Sequence, residues 1–529
     1  MEKAVDVSRR SFLQGSAAGI AGAALAGAAV SEAFADEADA EAEEETVEVE
    51  AEEEAEGSAD SEEKDIVATY DCDICVVGAG FSGMIAAVEA AEDGANVLIV
   101  EASDTTGGSG ANGLEGSFGA NSSMQQELGL EVDIHEVLMD EMEQSQWRAD
   151  GLAWLEMLEN SGENIDWLID HGVKFSTVDN YSNKNYDAFH WYENGIVEGY
   201  IDPMTAQLDE LGIQVEYSTK AEELIIQDGT VAGVYATNAD GEWIEVDAKA
   251  TILATGGFAA NYDLASNIGY QPDEILCVGS SYDDGSGHNM AIAAGAKDMS
   301  MYACDNCCSF INSWGFSMTG MYFTNAPQVP WINEDCERFY KEDNCVVNFP
   351  LANPPKWNQQ HAYMIWDQGI WDDYIAGQED EFESMLQTGL EANAGDMFQA
   401  DTISELAEAA GLDPDALEAF VEDYNAMCAA GEDTLWGKDA EYMVALENPP
   451  YYLAEPIFAL FTTIGSVATN RNGQAITSEL APIDGLYVVG VEGCMLYRNV
   501  YTIGTPGSCS GNSINMARTA AKHAVENYL

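Results

Sequence analysis

Three glycines and one acid near the start of the chain have the types and spacing to bind phosphate. Gly78, Gly80 and Gly83 stand in the run Gly78-Ala79-Gly80-Phe81-Ser82-Gly83, and Glu101 follows about twenty residues on. The first glycine permits a tight turn, the second lets backbone approach a pyrophosphate, and the third lets a helix pack closely on a strand. Phe81 and Ser82 open that helix, whose free N–H groups would face the phosphates. Glu101, with Ala102 beside it, would accept hydrogen bonds from an adenosine ribose. This chemistry is dinucleotide binding.

Such a site needs a strand, a helix and a second strand in that order. Ile74 to Val77 is an apolar run that fits a buried parallel strand, Ala86 to Ala91 lie in an Ala-rich helix, and Asn96 to Val100 return as a strand. Between Gln126 and Gly172, Trp147, Leu152, Trp154, Leu155, Leu158, Ile165, Trp167 and Leu168 recur at mostly helical spacing, which predicts core contacts. Val215 to Tyr217, Leu224 to Ile226, Val231 to Tyr235 and Ala250 to Ala254 read as short strands, with turns at Asp228-Gly229 and Asp240-Gly241. From Cys304 to Phe461 the sequence changes to aromatic-rich loops and amphipathic helices broken by prolines, which reads as a separate cap.

Further glycine segments carry a resemblance to a known family. Gly107-Gly108-Ser109-Gly110, Ala254-Thr255-Gly256-Gly257, Asp284-Gly285-Ser286-Gly287 and Gly485 to Gly490, followed by Gly511-Asn512-Ser513-Ile514, resemble the segments that wrap FAD in the fumarate reductase/succinate dehydrogenase flavoprotein family. The resemblance runs from about Asp71 to the C-terminus and implies bound FAD. It implies contacts from Gly107, Gly108, Ser109, Ala254, Thr255, Gly256, Gly257, Asp284, Glu492, Ser513 and Ile514 as well as from the first loop. In the cap, Ile332 to Phe339 and His361 to Asp367 are similar to that family's segments, and Arg338 is read as structural.

Departures from the family pattern bear on the substrate. The arginine that donates a proton in fumarate reductases has its matching place near Val346. The family's substrate-binding histidine is replaced by Thr462 or Thr463, and its late arginine falls around Ser508. A dicarboxylate needs several cations, so fumarate and succinate are not expected substrates. The run from Gly490 to Gly507 is similar instead to the end segment of 3-ketosteroid dehydrogenases and related enone reductases, which implies that Tyr501 hydrogen-bonds a substrate carbonyl. Arg498, one of few arginines, would bind a substrate carboxylate or deliver a proton, or else pair with a surface carboxylate. Tyr302, Trp314, Phe316, Tyr322, Phe323 and Trp331 would line the acceptor pocket or else form cap core. Cys304, Cys307 and Cys308 cluster at the start of this stretch without a defensible metal spacing, and no metal is expected.

Composition narrows the partners. The chain has 529 residues, with 95 Asp and Glu against 18 Lys and Arg, for a net charge of −77. That balance argues against nucleic acid and against anionic membrane surfaces, and it would attract a basic redox partner. Ser8-Arg9-Arg10-Ser11-Phe12-Leu13 before a Gly/Ala-rich apolar stretch ending in Ala33-Phe34-Ala35 reads as a twin-arginine export signal, with a retained anchor as the alternative. Residues 36–67 form an acidic run that reads as a disordered linker.

The expected fold is α/β: a discontinuous Rossmann-like FAD-binding domain, residues 68–303 and 462–529, with an inserted α+β cap at 304–461. The expected activity is hydride transfer from reduced FAD to an activated C=C bond of a small unsaturated organic acceptor. No CxxCH haem motif occurs, so electrons are expected from a separate donor, by resemblance a membrane-associated cytochrome, at the periplasmic or outer face of the membrane. The alternatives are a dehydrogenase of the 3-ketosteroid type and an FAD-loaded electron-transfer subunit.

Overall fold

The computed structural model describes residues 64–181, 186–348, 353–379, 381–498 and 501–529. The expected signal segment and the acidic run up to residue 63 lie outside the described residues, as does the question of an anchor. Among the described residues no helix is long and apolar enough to cross a membrane.

β1 (Ile66–Val77) begins two residues inside the stretch expected as linker. Its first half is only partly buried, and parallel pairing with a later strand from Ile66 opposite Trp243 defines it where apolar burial does not. Its second half, Ile74 to Val77, is fully buried, and there the chain turns at Gly78 into α1 (Phe81–Glu92) and returns as β2 (Val97–Val100). This is the expected βαβ unit.

The helical region resolves into α2 (Ile134–Gln144) and α3 (Gly151–Asp170) with a shorter turn before them. Trp154, Leu158, Ile165 and Leu168 are buried as expected, but Trp147 and Leu152 are 62% and 60% exposed. Trp147 falls between the two helices, where it and Gln146 adopt positive φ, and Leu152 occupies the first turn after the Asp150 cap. Local turn geometry therefore overrides the helical period at both residues.

β3 (Gln214–Glu216), β4 (Lys220–Gln227), β5 (Thr230–Thr237) and β6 (Trp243–Leu253) follow. The β4–β5 hairpin closes at Asp228-Gly229, both at positive φ, as a two-residue turn requires. β7 (Gln474–Ile476), β8 (Pro482–Val488) and α4 (Ser508–Tyr528) return from the far end of the chain. The main sheet runs β7-β8-β6-β1-β2-β3, and β8, β6, β1, β2 and β3 are mutually parallel. Thus the first and last parts of the chain build one α/β domain, with α1 and α4 packed together in its largest buried cluster.

Between them, a four-stranded antiparallel sheet of Trp331–Asn333, Ala362–Asp367, Tyr451–Ala454 and Met397–Ala400 carries the cap core. Ile457–Ile464 instead pairs on one side with Cys304–Phe310 and on the other with Ile275–Cys277. The expected cap boundaries both fall in this small connecting sheet.

Candidate active site

One cavity of about 300 Å³ opens where the C-terminal ends of β1, β2 and β6 meet α1 and the start of α4. At one end it is walled by Glu101, Ala102, Ser103, Thr219 and Lys220; at the other by Glu115, Tyr181, Phe461, Thr462, Tyr501 and Cys509. The glycine turns lie between. Gly107 pairs with Gly80 across an isolated bridge and donates its N–H to Ala79 O at 2.9 Å. The two backbones approach so closely that a Cβ on Gly108 would lie 3.1 Å from Gly80 Cα. Two helix N-termini, those of α1 and α4, face this space and suit an anionic group.

Of the residues singled out from the sequence, Gly78, Gly80, Phe81, Ser82, Glu101, Ala102, Gly108, Ser109, Ala254, Thr255, Gly256, Ser513 and Tyr501 line the cavity. The Glu101 carboxylate is held on both sides by backbone: Oε2 accepts from Ala79 N at 2.5 Å and Oε1 from Ser103 N at 2.7 Å, which fixes its orientation at the cavity wall.

Others stand behind the wall. A Cβ on Gly83 would strike the Gly78 carbonyl, one on Gly257 would strike Thr463, and Gly107 at φ +116 holds the second turn. Glu492 is buried and accepts from Thr255 Oγ1, so it orients a lining residue without lining the cavity itself. Ile514 is packed in the core of the main domain.

Two expectations are corrected, and for the cap aromatics the alternative of cap core holds for three of the six. Asp284 turns away to Lys220 Nζ at 2.7 Å and to the N–H of Ser286, and its neighbour Asp283 takes the place on the cavity, accepting from Ser109 Oγ at 2.5 Å. Arg498 neither lines the cavity nor meets a surface carboxylate. It is buried, donating to Tyr497 O at 2.8 Å and lying 3.0 Å from Met495 Sδ. Of the six cap aromatics, none lines the cavity: Trp314, Phe323 and Trp331 belong to the cap core, Phe316 packs near Phe310 and Phe461, and Tyr302 is exposed. The aromatic wall comes from Phe81, Tyr181, Phe189, Tyr282, Phe461 and Tyr501 instead. Arg338 is structural, paired with Glu342 and Asp433 in the cap. Cys304 and Cys308 are buried thiols, and no group of three or more metal-ligating side chains occurs among the described residues.

Burial sets the electrostatics. It pushes the Asp283 carboxyl up to about 7 against the Ser109 hydrogen bond, and the Glu492 carboxyl up to about 8 against that of Thr255. Burial also raises Asp284, but its hydrogen bonds to Lys220 and Ser286 win and hold it below the ordinary range. Tyr501 is pushed well up by burial and then by nearby thiols and Glu141, so its hydroxyl stays protonated. Among the described residues no protein group hydrogen-bonds that hydroxyl, whereas Tyr497 pairs with Ser508, Tyr186 with Asp140 and Tyr192 with Ser117.

Sequence reasoning missed Asp283, Glu115, Tyr181 and Phe461. Asp283 is one residue from the position expected. Glu115 lies between Gly113 and Gly116, so the glycine run that flags Gly107 and Gly108 was the available signal.

Comparison with known proteins fits this geometry. A twin-arginine translocation signal sequence matches residues 6–26. A vinyl phenol reductase of Lactiplantibacillus plantarum is 30% identical over 479 residues, covering 86% of this chain and 96% of that protein. A urocanate reductase of Eggerthella lenta is 29% identical, covering 80% of this chain and 70% of that one. Among solved structures, the 3-ketosteroid Δ1-dehydrogenase of Sterolibacterium denitrificans superposes with a TM-score of 0.68 at 18% identity, over 86% of this chain and 99% of that one. A flavocytochrome c3 fumarate reductase in its open conformation gives 0.65 at 20%, over 88% of this chain and 79% of that one. The FAD binding domain family matches residues 73–507, so the chain belongs to that family and is an FAD-dependent oxidoreductase with a twin-arginine export signal.

Proposed function

We propose that the protein reduces the C=C bond of a small, uncharged acceptor conjugated to an oxygen, an enone or a vinyl phenol, with Tyr501 donating to that oxygen. The observation that carries this reading is the Tyr501 hydroxyl: protonated, on the cavity wall, and unshared by any described protein group. When bound, reduced FAD supplies the hydride. In an enone the conjugated oxygen gains negative charge as the hydride arrives, and in a vinyl phenol it does so once the terminal carbon has taken its proton to give a quinone methide; a donor on the loop of residues 501–507 stabilises that charge. Glu101 and the paired glycine turns would hold the adenosine and pyrophosphate.

The lack of cations supports an uncharged acceptor. Among the described lining residues Lys220 is the one basic side chain, and it sits at the Glu101 end, paired with Asp284. The Tyr501 end presents, among the described lining residues, no basic side chain to balance a carboxylate. Two of the relatives are named for uncharged compounds, vinyl phenol and 3-oxosteroids, whereas the urocanate reductase is named for a carboxylate. Electrons would come from a separate donor, by resemblance a membrane-associated cytochrome on the periplasmic side.

Single-turnover reoxidation of the anaerobically reduced protein tests the proposal. 4-Vinylphenol and a 4-ene-3-ketosteroid should reoxidise the flavin faster than fumarate or urocanate, and Tyr501→Phe should slow them roughly 100-fold with flavin content unchanged. Fumarate as the fastest acceptor, or Tyr501→Phe at the wild-type rate, would overturn it. A flavin that no acceptor reoxidises would favour an electron-transfer subunit.

A further inference from the structure

Arg498 points away from the cavity, so the proton that must accompany the hydride has no donor where the sequence suggested one. An acid pair elsewhere on the wall is open to the same space. Tyr181 and Glu115 both line the cavity, and Tyr181 Oη donates to Glu115 Oε2 at 3.0 Å. The pair is held from several sides. Tyr181 stacks on Trp191 with ring centroids 5.3 Å apart and tilts against Phe189 at 4.7 Å. Asp179 Oδ1 accepts from both the Tyr181 N–H and Trp191 Nε1, each at 2.8 Å. That grip keeps Tyr181 at φ +43, a backbone region disfavoured for an aromatic residue and found mainly where function or packing demands it. Glu115 is fixed in turn where its backbone oxygen accepts from Tyr192 N at 3.0 Å.

We infer that Tyr181 delivers the proton that accompanies hydride transfer and that Glu115 replenishes it, an inference that rests on the reduction proposed above. The π bond breaks, and one carbon takes the hydride, with its two electrons, from the reduced flavin. With the Glu115 carboxyl protonated and donating to Tyr181 Oη, the phenol's own proton is released from that hydrogen bond, and the neighbouring carbon takes it. The phenolate so formed takes a proton from the Glu115 carboxyl, and solvent restores that one, because Glu115 is half-buried and not sealed. Burial raises the proton affinity of Glu115 against the Tyr181 hydrogen bond, which keeps the acid charged with its proton to higher pH. Burial likewise raises that of Tyr181, and Glu115, Tyr322 from the cap and Tyr501 from the C-terminal loop raise it further.

The pair is tested in the holoenzyme with Tyr181→Phe and Glu115→Gln, flavin content serving as the check on folding. With the enone steroid in D2O, wild type should place the deuteron on one face of the carbon beside the carbonyl. Tyr181→Phe should slow reoxidation about 100-fold and give a mixture. Glu115→Gln should remove the limb of the pH–rate profile on which the acid ionises. It should also abolish the pH-dependent change in absorbance of the oxidised bound flavin over the same range, a readout that needs no turnover. Wild-type rate and a single stereoisomer from Tyr181→Phe, or an unchanged absorbance titration in Glu115→Gln, would overturn the inference alone. A wild type that neither uncharged acceptor reoxidises would bring down the functional reading as well.

Discussion

Tyr501 sits on a loop whose next residue, Thr502, has its hydroxyl within hydrogen-bond reach of both oxygens of Glu141, at 2.8 and 2.6 Å. Glu141 projects from α2, is 1% exposed, and is pushed by burial up to about 7, against the hydrogen bonds of Thr502 and Thr505. Folding therefore tightens its hold on a proton relative to the ordinary value of 4.5. The stability this gives is full below about pH 4.5 and is lost as pH rises through about 7, for a total on the order of 3 kcal/mol. The thermal midpoint should fall between pH 5 and pH 8, and Glu141→Gln should flatten part of that fall. Asp283 and Glu492, also raised, should supply the remainder. A pH dependence identical in Glu141→Gln would refute the assignment. Such a residue is hard to find in sequence, because an acid among the many acids of this chain shows its burial only once the helix and the loop are assembled. Glu101 was legible for the opposite reason: its role follows from local spacing after a glycine turn. The place of Tyr501 on the cavity wall was legible through a motif that resembles a known one, whereas that of Arg498 was not, because nothing in its neighbours shows which way a loop side chain turns.

The elements were easiest to read where apolar runs and glycine turns coincide. Ile74 to Val77, the Gly78 turn and α1 form as the sequence suggested, because a Cβ on Gly83 has no room beneath the Gly78 carbonyl and little else satisfies that crossing. The joining of the two chain ends was legible in the apolar strand and glycines that resume near Tyr487; it rests on β8 pairing with β6 and on α4 packing against α1, to which a buried ion pair that was not legible is added. Arg518 on α4 donates to Glu89 Oε2 on α1 at 2.6 Å and to Asn164 Oδ1 on α3 at 2.7 Å, with its guanidinium 5.0 Å from the Trp167 ring. The partners are 354 and 429 residues apart in the chain, so no local pattern could reveal them. Arg518→Met should lose on the order of 3 kcal/mol, because it leaves Glu89 buried beside only the half-exposed Lys522. Adding Glu89→Gln should recover part of the loss, since no uncompensated carboxylate then remains. Denaturant unfolding of the two variants reads both values, and a double variant less stable than Arg518→Met would show that the pair does not tie α1 to α4.

At the scale of the whole molecule, the chain carries 95 acids against 18 bases, and under the proposal its electrons come from outside the chain. Such a field raises the local concentration of a cationic donor and lowers that of an anionic one, over a distance set by the ionic atmosphere. Raising the ionic strength from about 0.01 M to about 0.15 M shortens that distance from about 30 Å to about 8 Å. Reduction of the bound flavin by a cationic mediator, the methyl viologen radical, should therefore slow across this range, while reduction by dithionite, an anion, should speed up. Opposite slopes matter more than their size, because a salt effect on the flavin site itself would move both rates the same way. Parallel slopes would mean that the acidic surface serves solubility and not electron delivery, and a basic donor would lose its physical rationale. A removable share of the effect belongs to residues 36–63, so a chain beginning at residue 64 should show both slopes reduced and neither reversed, because much of the charge lies in the described domains.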